Sequence, residues 1–154
     1  LDPTQVARRI STSRLLTLAS PEYLARHGRP QTPADLAAHQ CLGYTGNARA
    51  TRPYRIDGEM LWVPVQGRLQ ANSGDALVDA CQRGLGIVRQ PSFIAAPAIR
   101  AGLLEVLLVD FPGPELGIHA VFPSNRYLPT RVRALADYLA ERIGPSPYWD
   151  AGLP

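Results

Sequence analysis

Residues 71–87, ANSGDALVDACQRGLGI, set short polar groups in front of an apolar helical repeat. Asn72 or Ser73 can cap a helix begun by Asp75 and Ala76, because a short side-chain oxygen accepts from first-turn N–H groups that lack partners. Asn72 and Asp75 stand three apart, a loose capping-box spacing, and Leu77, Ala80, Cys81 and Gly84 follow on one helical face, with Gly84 as the stop. The same N–H groups, at the positive end of the helix dipole, form a site for a carboxylate or phosphate. The segment therefore reads both as a structural cap and as a candidate anion site.

Working outward, GIVRQP (86–91) is a short strand, and SFIAAPAIRAG (92–102) is helical but interrupted by Pro97, which predicts two short helical pieces. LLEVLLVDF (103–111) carries apolar residues facing both ways, as a covered central strand does, and LGIHAVFP (116–123) is another strand. Upstream, RLLTLASPEYLARHG reads as a strand over 15–19 running into a helix capped by Ser20, with Pro21 first, Glu22 in the opening turn and Gly28 as stop. TPADLAAHQ repeats the device with Thr32, Pro33 and Asp35, before the short strand CLGYT. PYRIDGEMLWVPVQGRLQAN predicts an antiparallel meander with a turn at Asp57-Gly58 and a break at Gln66-Gly67, Pro64 marking an edge. Late in the chain, Val132, Leu135, Ala136, Leu139 and Ile143 form an amphipathic stripe that should lie on a sheet, and 144–154 reads as an irregular tail with exposed aromatics. Strands alternating with helices predict α/β architecture with a largely parallel sheet.

A chain of 154 residues, 45% hydrophobic and 19% charged, has the size and composition of one globular domain with a real core. All sixteen basic residues are Arg, and the net charge is +3, but they are scattered with no basic stripe, so a nucleic-acid face is not indicated. Cys41 and Cys81 sit among apolar neighbours without CxxC spacing or a paired His spacing to suggest zinc, which predicts buried reduced thiols and no zinc site. No signal peptide or membrane-spanning run is evident, which makes the cytoplasm the default location.

With the order of these segments established, the chain resembles the effector-binding domain of LysR-type transcriptional regulators. The resemblance rests on LASPEYLARHGRPQTPADLAAHQCLGY, VPVQGRLQANSGDALVDACQRGLGIVRQPSFIAAPAIRAGLLEVLL and AVFPSNRYLPTRVRALADYLAERI, in that order over nearly all of residues 8–143. It implies a type 2 periplasmic-binding-protein-like α/β fold: two lobes joined by crossing strands, with a small effector between them. The crossings fall near 15–19 and 110–118, the second lobe is complete at about 20–109, and 1–14 with 118–143 form a partial first lobe. The resemblance leaves the family's N-terminal winged helix-turn-helix and the opening part of the effector domain without a counterpart here. The apolar stripe over 132–143 is therefore expected to pack against something or to be disordered, in a fragment or in a chain completed by a partner.

The resemblance also implies effector contacts at Ser20, Asn72, Ser73, Gly74, Asp75, Pro91 and Phe93, with a small organic acid as effector and Asp75 turned away from it. The bland alternatives are caps for Ser20 and Ser73, a core position for Phe93, and half-buried sheet aromatics for Tyr44 and Trp62 in place of stacking platforms. His27 and His39 sit at helix ends, where a cation suits the dipole. A Ser/His/Asp set can be assembled from the composition, but there is no G-x-S-x-G elbow, so no enzyme is expected. No cofactor and no metal are expected either. The expected partners are the effector, a second copy of the chain in a homodimer or tetramer, and DNA through the domain not contained here, with no membrane. The alternative from another class is a solute-binding protein of the same fold serving a transporter.

Overall fold

The computed structural model describes residues 5–45, 50–123 and 129–154. Its axis is β1 (Gln5–Ala19), 15 residues long where the sequence pattern marks only the last five. The earlier part was hidden because Arg8, Arg9, Ser11 and Ser13 break the apolar alternation. Their polar groups are placed by tertiary partners: Arg8 pairs with Asp137, Arg9 with Glu115, and the Ser11 hydroxyl donates to the Gly144 carbonyl at 2.6 Å. From Gln5 to Arg14 the strand pairs antiparallel with β8 (Glu115–Pro123), with a bulge between Arg9 and Ser11. From Leu15 onward it lies between β6 (Val88–Pro91) and β7 (Glu105–Leu107), again antiparallel to both.

The expectation of a largely parallel sheet is corrected at β1, whose pairings are all antiparallel because it enters from the opposite end of the sheet. Parallel pairing is confined to β2 (Gly43–Tyr44) with β5 (Gln70–Ala71), and to bridges joining Gln40 to Gln66 and Cys41 to Ile87. Gly67 and Gly86 permit that close approach, since a Cβ at either would strike the Cys41 or Gln40 carbonyl. The meander is likewise only half present. β3 (Thr51–Ile56) and β4 (Glu59–Pro64) form the hairpin, with Asp57 and Gly58 both at positive φ in its two-residue turn. Its expected third strand pairs with β2 instead. Of LLEVLLVDF, three residues form β7, an edge strand beside β1, and Leu108 has positive φ and ends it. The central, covered position belongs to β1.

Alternation along β1 feeds two apolar clusters. Leu16 and Leu18 join Val88 beneath α2 (Gly74–Gln82) and α3 (Ser92–Arg100), meeting Leu77, Cys81 and Ala95. On the other face Ala19 joins Ile87, Leu107, Tyr23, Leu36 and Tyr54, under α1 (Pro21–His27), the 3-10 turn Pro33–Ala38 and the hairpin. α1 has the expected ends: Ser20 accepts from the Tyr23 N–H at 3.2 Å, and Gly28 follows at φ 81. In the 3-10 turn the Asp35 carboxylate accepts from the N–H groups of Thr32 and Gln31, which holds its pKa below the ordinary value.

α3 runs unbroken through Pro97, contrary to the expected two pieces. One missing N–H costs the helix a bond, and burial of Ala95, Ala96 and Ala98 around it offsets that loss. The tail is irregular but docked, and only Tyr148 shows the expected exposure. Trp149 is buried against Phe93 with ring centroids 6.1 Å apart, and one Arg100 nitrogen donates to the Tyr148, Trp149 and Ala151 carbonyls. α4 (Thr130–Ile143) is ordered and packs on β1, with Ala136 buried while Val132, Leu139 and Ile143 are partly covered. Leu135 of the same stripe stays exposed. Residues 1–4 and 124–128, assigned above to the first lobe, lie outside the described residues.

Cys41 and Cys81 are both free and buried, as expected; burial raises both thiol pKa values, that of Cys81 to about 11. His39 departs from its expected role as a cation on a helix dipole. It is buried with Nδ1 3.1 Å from the Tyr23 hydroxyl, and burial first, then the neighbouring His27, lowers its pKa from the usual 6.5.

Two measurements check this packing. Trp149→Ala should lower unfolding stability by about 3 kcal/mol in urea titration, and a change within about 0.5 kcal/mol would mean the tail is not docked in solution. For His39, the unfolded chain takes up a proton below about pH 6.5 while the folded one resists, so its contribution is complete above that pH and lost on acidification. His39→Gln should therefore show a smaller fall in Tm between about pH 7.5 and about pH 5 than the parent. Equal falls would contradict the buried neutral imidazole.

Candidate functional site

The larger described cavity, of about 810 Å³, opens between the sheet and the β3–β4 hairpin. Its walls come from Leu15 on β1, residues 42–45 around β2, residues 51–53 on β3, Trp62 on β4, Gln66, Gln70 and Arg89 on β6. Pairing of Tyr44 with Ala71 sets Asn72 just beyond its rim, and pairing of Leu15 with Pro91 brings the end of β6 to the same border. Tyr44 and Trp62 are strand aromatics buried over about half their surface, as preferred from sequence. They are 44% and 58% exposed and stand at the cavity as flat apolar surfaces.

Two arginines that sequence reading passed over give the cavity its charge. Arg52 is 7% exposed; its Nη2 donates to the Leu42 carbonyl at 2.9 Å and the Ile87 carbonyl at 3.2 Å, while its Nη1 is buried with no partner among the described residues. The Arg89 guanidinium lies 4.8 Å from the Tyr54 ring centroid, and its Nε and Nη2 are buried and unpartnered. Thr51 Oγ1 is a third such atom. Burial holds the Arg89 pKa below the usual arginine value, opposed in part by Tyr54, with the nearby positive charge of Arg52 a smaller push in the same direction as burial. No acidic residue lines this cavity among the described residues, and residues 46–49, Gly-Asn-Ala-Arg, contain none. The sequence signal available was arginine inside two short strands, Arg52 and Arg55 in TRPYRI and Arg89 in GIVRQP.

Ser73, not Asn72, caps α2, accepting from the Ala76 N–H at 3.3 Å. Asn72 and Asp75 are exposed beside it, and Gly74 fits tightly against Gln90 and Ile94, where a Cβ would clash. Phe93 is 46% exposed rather than in the core, and its ring is engaged by Trp149. Ser20 lies apart from these residues. It follows the end of β1 that pairs with Glu105, five residues beyond Leu15 and so about 16 Å along the strand from the Pro91 end. Its hydroxyl is buried and caps α1. None of the seven sequence-predicted residues lines this cavity or the smaller one of about 210 Å³ beside β7. Asn72, Ser73, Gly74, Asp75, Pro91 and Phe93 border one end of the sheet; Ser20 does not.

Comparison with known proteins gives a consistent result. The chain matches the family described as LysR substrate binding domain over residues 1–144. The transcriptional regulator CrgA of Neisseria meningitidis serogroup B is 34% identical over 139 residues, covering 90% of this chain and 46% of that protein. PtxR of Pseudomonas aeruginosa is 34% identical over 143 residues, covering 92% and 46%. The solved CrgA regulatory domain matches with a TM-score of 0.77 at 34% identity, over 93% of this chain and 71% of that one. The AphB regulatory domain of Vibrio vulnificus matches with a TM-score of 0.75 at 29% identity, over 92% and 70%. The chain spans about half the length of the regulators CrgA and PtxR. Regulation of transcription, the function in their names, is not an enzymatic one.

The cap geometry at Ser73 gives a measurable expectation. Ser73→Ala should cost about 1 kcal/mol of unfolding free energy and Ser73→Gly only a few tenths, whether or not ligand is present. Equal, negligible losses would assign the hydroxyl no capping role.

Proposed function

This chain belongs to the LysR family of transcriptional regulators, matching its substrate-binding domain and sharing its type 2 periplasmic-binding-protein-like fold; on that premise we propose that it senses a small organic acid on behalf of a DNA-binding regulator. The effector sits in a cleft bordered by residues 72–75, Pro91 and Phe93, at the end of the sheet where the larger cavity opens. That cavity, walled in part by Arg52 and Arg89 with no acidic residue among its described lining, is the observation that carries the reading.

The second lobe is residues 20–109, and residues 1–14 with 118–143 belong to the first. The change of partners along β1 at Leu15, from β8 to β6 and β7, supports a crossing there. An effector that binds one lobe arrangement more tightly than the other shifts their balance, and equal affinity would shift nothing. Paired copies of the chain then present a winged helix-turn-helix differently to DNA, in the cytoplasm. A transporter-linked solute-binding role is not favoured, since the relatives are named as regulators.

The test is a panel of organic acids applied to the intact regulator, read by thermal shift and by operator binding. An effector at about 100 times its Kd should add about 2.7 kcal/mol of stability and change the operator affinity or footprint. A panel that stabilises the protein without altering DNA binding would remove the sensor reading.

A further inference from the structure

The segment after α4 ties two parts of the molecule together. Gly144, at φ 66, turns the chain beside β1, where its carbonyl accepts from the Ser11 hydroxyl. Pro145 and Pro147 fix φ on either side of Ser146 and leave the following residues few paths. The 3-10 turn Tyr148–Asp150 then seats Trp149 against Phe93, in the first turn of α3. At the other end of α3, one Arg100 nitrogen holds the Tyr148, Trp149 and Ala151 carbonyls at 3.2, 3.0 and 3.1 Å. Leu153 packs on the cluster that contains Leu16, Leu18, Leu77 and Leu104. Arg14, on β1, reaches both Asp150, with Nε 3.6 Å from Oδ2, and the Pro154 main-chain oxygen, with Nη1 at 2.7 Å. The segment thus leaves a helix of the first lobe, passes β1 at the residue before Leu15, where β1 changes partners, and ends on the second lobe.

We infer that residues 145–154 are a strap that holds the two lobes in one relative orientation, with Trp149 against Phe93 and Arg100 on the turn carbonyls as its fastening to α3. Two bodies joined by a pair of crossing strands keep a rotation about that joint, and motion of one against the other is the default unless a further contact opposes it. Phe93 and Arg100 stand about 10 Å apart along the helix axis, so the fastening is spread over a length that resists such a rotation. The hold is not fully matched. Trp149 Nε1 and Asp150 Oδ1 are buried without partners among the described residues, and undocking would return both to water, which lowers the cost of release. Phe93 borders the cleft and is half-exposed, so an effector that displaces its ring acts on Trp149 as well. The inference deepens the sensor reading by naming what governs the lobes, and it rests on that reading's division of the chain.

Spin labels carried by unnatural amino acids at Ala25 on α1 and Arg133 on α4, both exposed, read the distance between the lobes. The intact regulator is co-assembled with an excess of unlabelled protein, so that distances within one copy dominate. The parent should give one narrow distance distribution. Replacing residues 145–154 with a Gly-Ser run of equal length, Trp149→Ala and Arg100→Met should each widen it at least about twofold while the regulatory domain still melts cooperatively. An unchanged distribution in the Gly-Ser variant would overturn the strap. So would loss of cooperative melting in all three variants, which would make the segment part of the core. Should only Arg100→Met melt cooperatively, its distribution decides: widening upholds the strap and no change overturns it. A released strap should also change operator affinity about fivefold or more. Widened distances with unchanged operator affinity would uphold the strap and sink only its part in regulation. Unchanged distances with altered operator affinity would sink the strap and leave the sensor reading standing.

Discussion

The fold depends on the end of β1, residues 15–19, being covered on both faces and bonded along both edges. Leu16 and Leu18 point into the cluster beneath α2 and α3, and Ala19 into the one beneath α1 and the hairpin. Thr17, facing the second cluster, bonds the Tyr54 hydroxyl at 2.8 Å, so even the polar position of this segment has a buried partner. Fully burying each large apolar side chain contributes about 1.5–3 kcal/mol, and two clusters sharing one strand cannot be lost independently. The same strand carries Leu15 to the cavity and continues into the ribbon with β8, so the core, the site and the link to the remaining elements are mechanically one piece.

Local chemistry in the sequence made many of the elements legible, and non-local pairing hid the rest. Ser20-Pro21, Thr32-Pro33, Asp57-Gly58 and Ser73 carry their own backbone instructions, and each is a cap or a turn as read. Strand direction has no such local signature. β1 runs antiparallel to its neighbours although strands and helices alternate, and LLEVLLVDF contributes an edge although its composition suits a centre. Pro97 shows the converse failure, because a helix-breaking residue was overruled by the burial of the alanines beside it. Trp149 was misread for a related reason: a Pro- and Gly-rich tail says nothing about the surface that receives it.

For the site, the family resemblance pointed to polar residues around the start of α2, and the geometry sets them at a border rather than in the hollow. The hollow's chemistry lies in Arg52 and Arg89. A charged side chain on a surface costs nothing and informs little, and from sequence alone a strand arginine is read as a surface one. Only when its neighbours are known does the same residue become expensive to bury, and so informative. Ser20 stands apart from the other candidates for a simple metric reason, since a strand's length separates it from the end where they gather.

The bulge at Ile10 has an effect beyond local twist. Upstream of it, Arg8 turns toward α4 and meets Asp137; downstream, the odd-numbered Ser11 turns the same way to reach Gly144. One supernumerary residue thus shifts the phase of the strand, so that even positions serve the helix on one side and odd positions on the other. Excising Ile10 would leave a regular ladder with Arg8 still turned to α4, whereas a strictly alternating strand that kept Ile10 would turn Arg8 outward and Arg9 inward. The irregularity is what lets a single strand keep two differently phased neighbours in register.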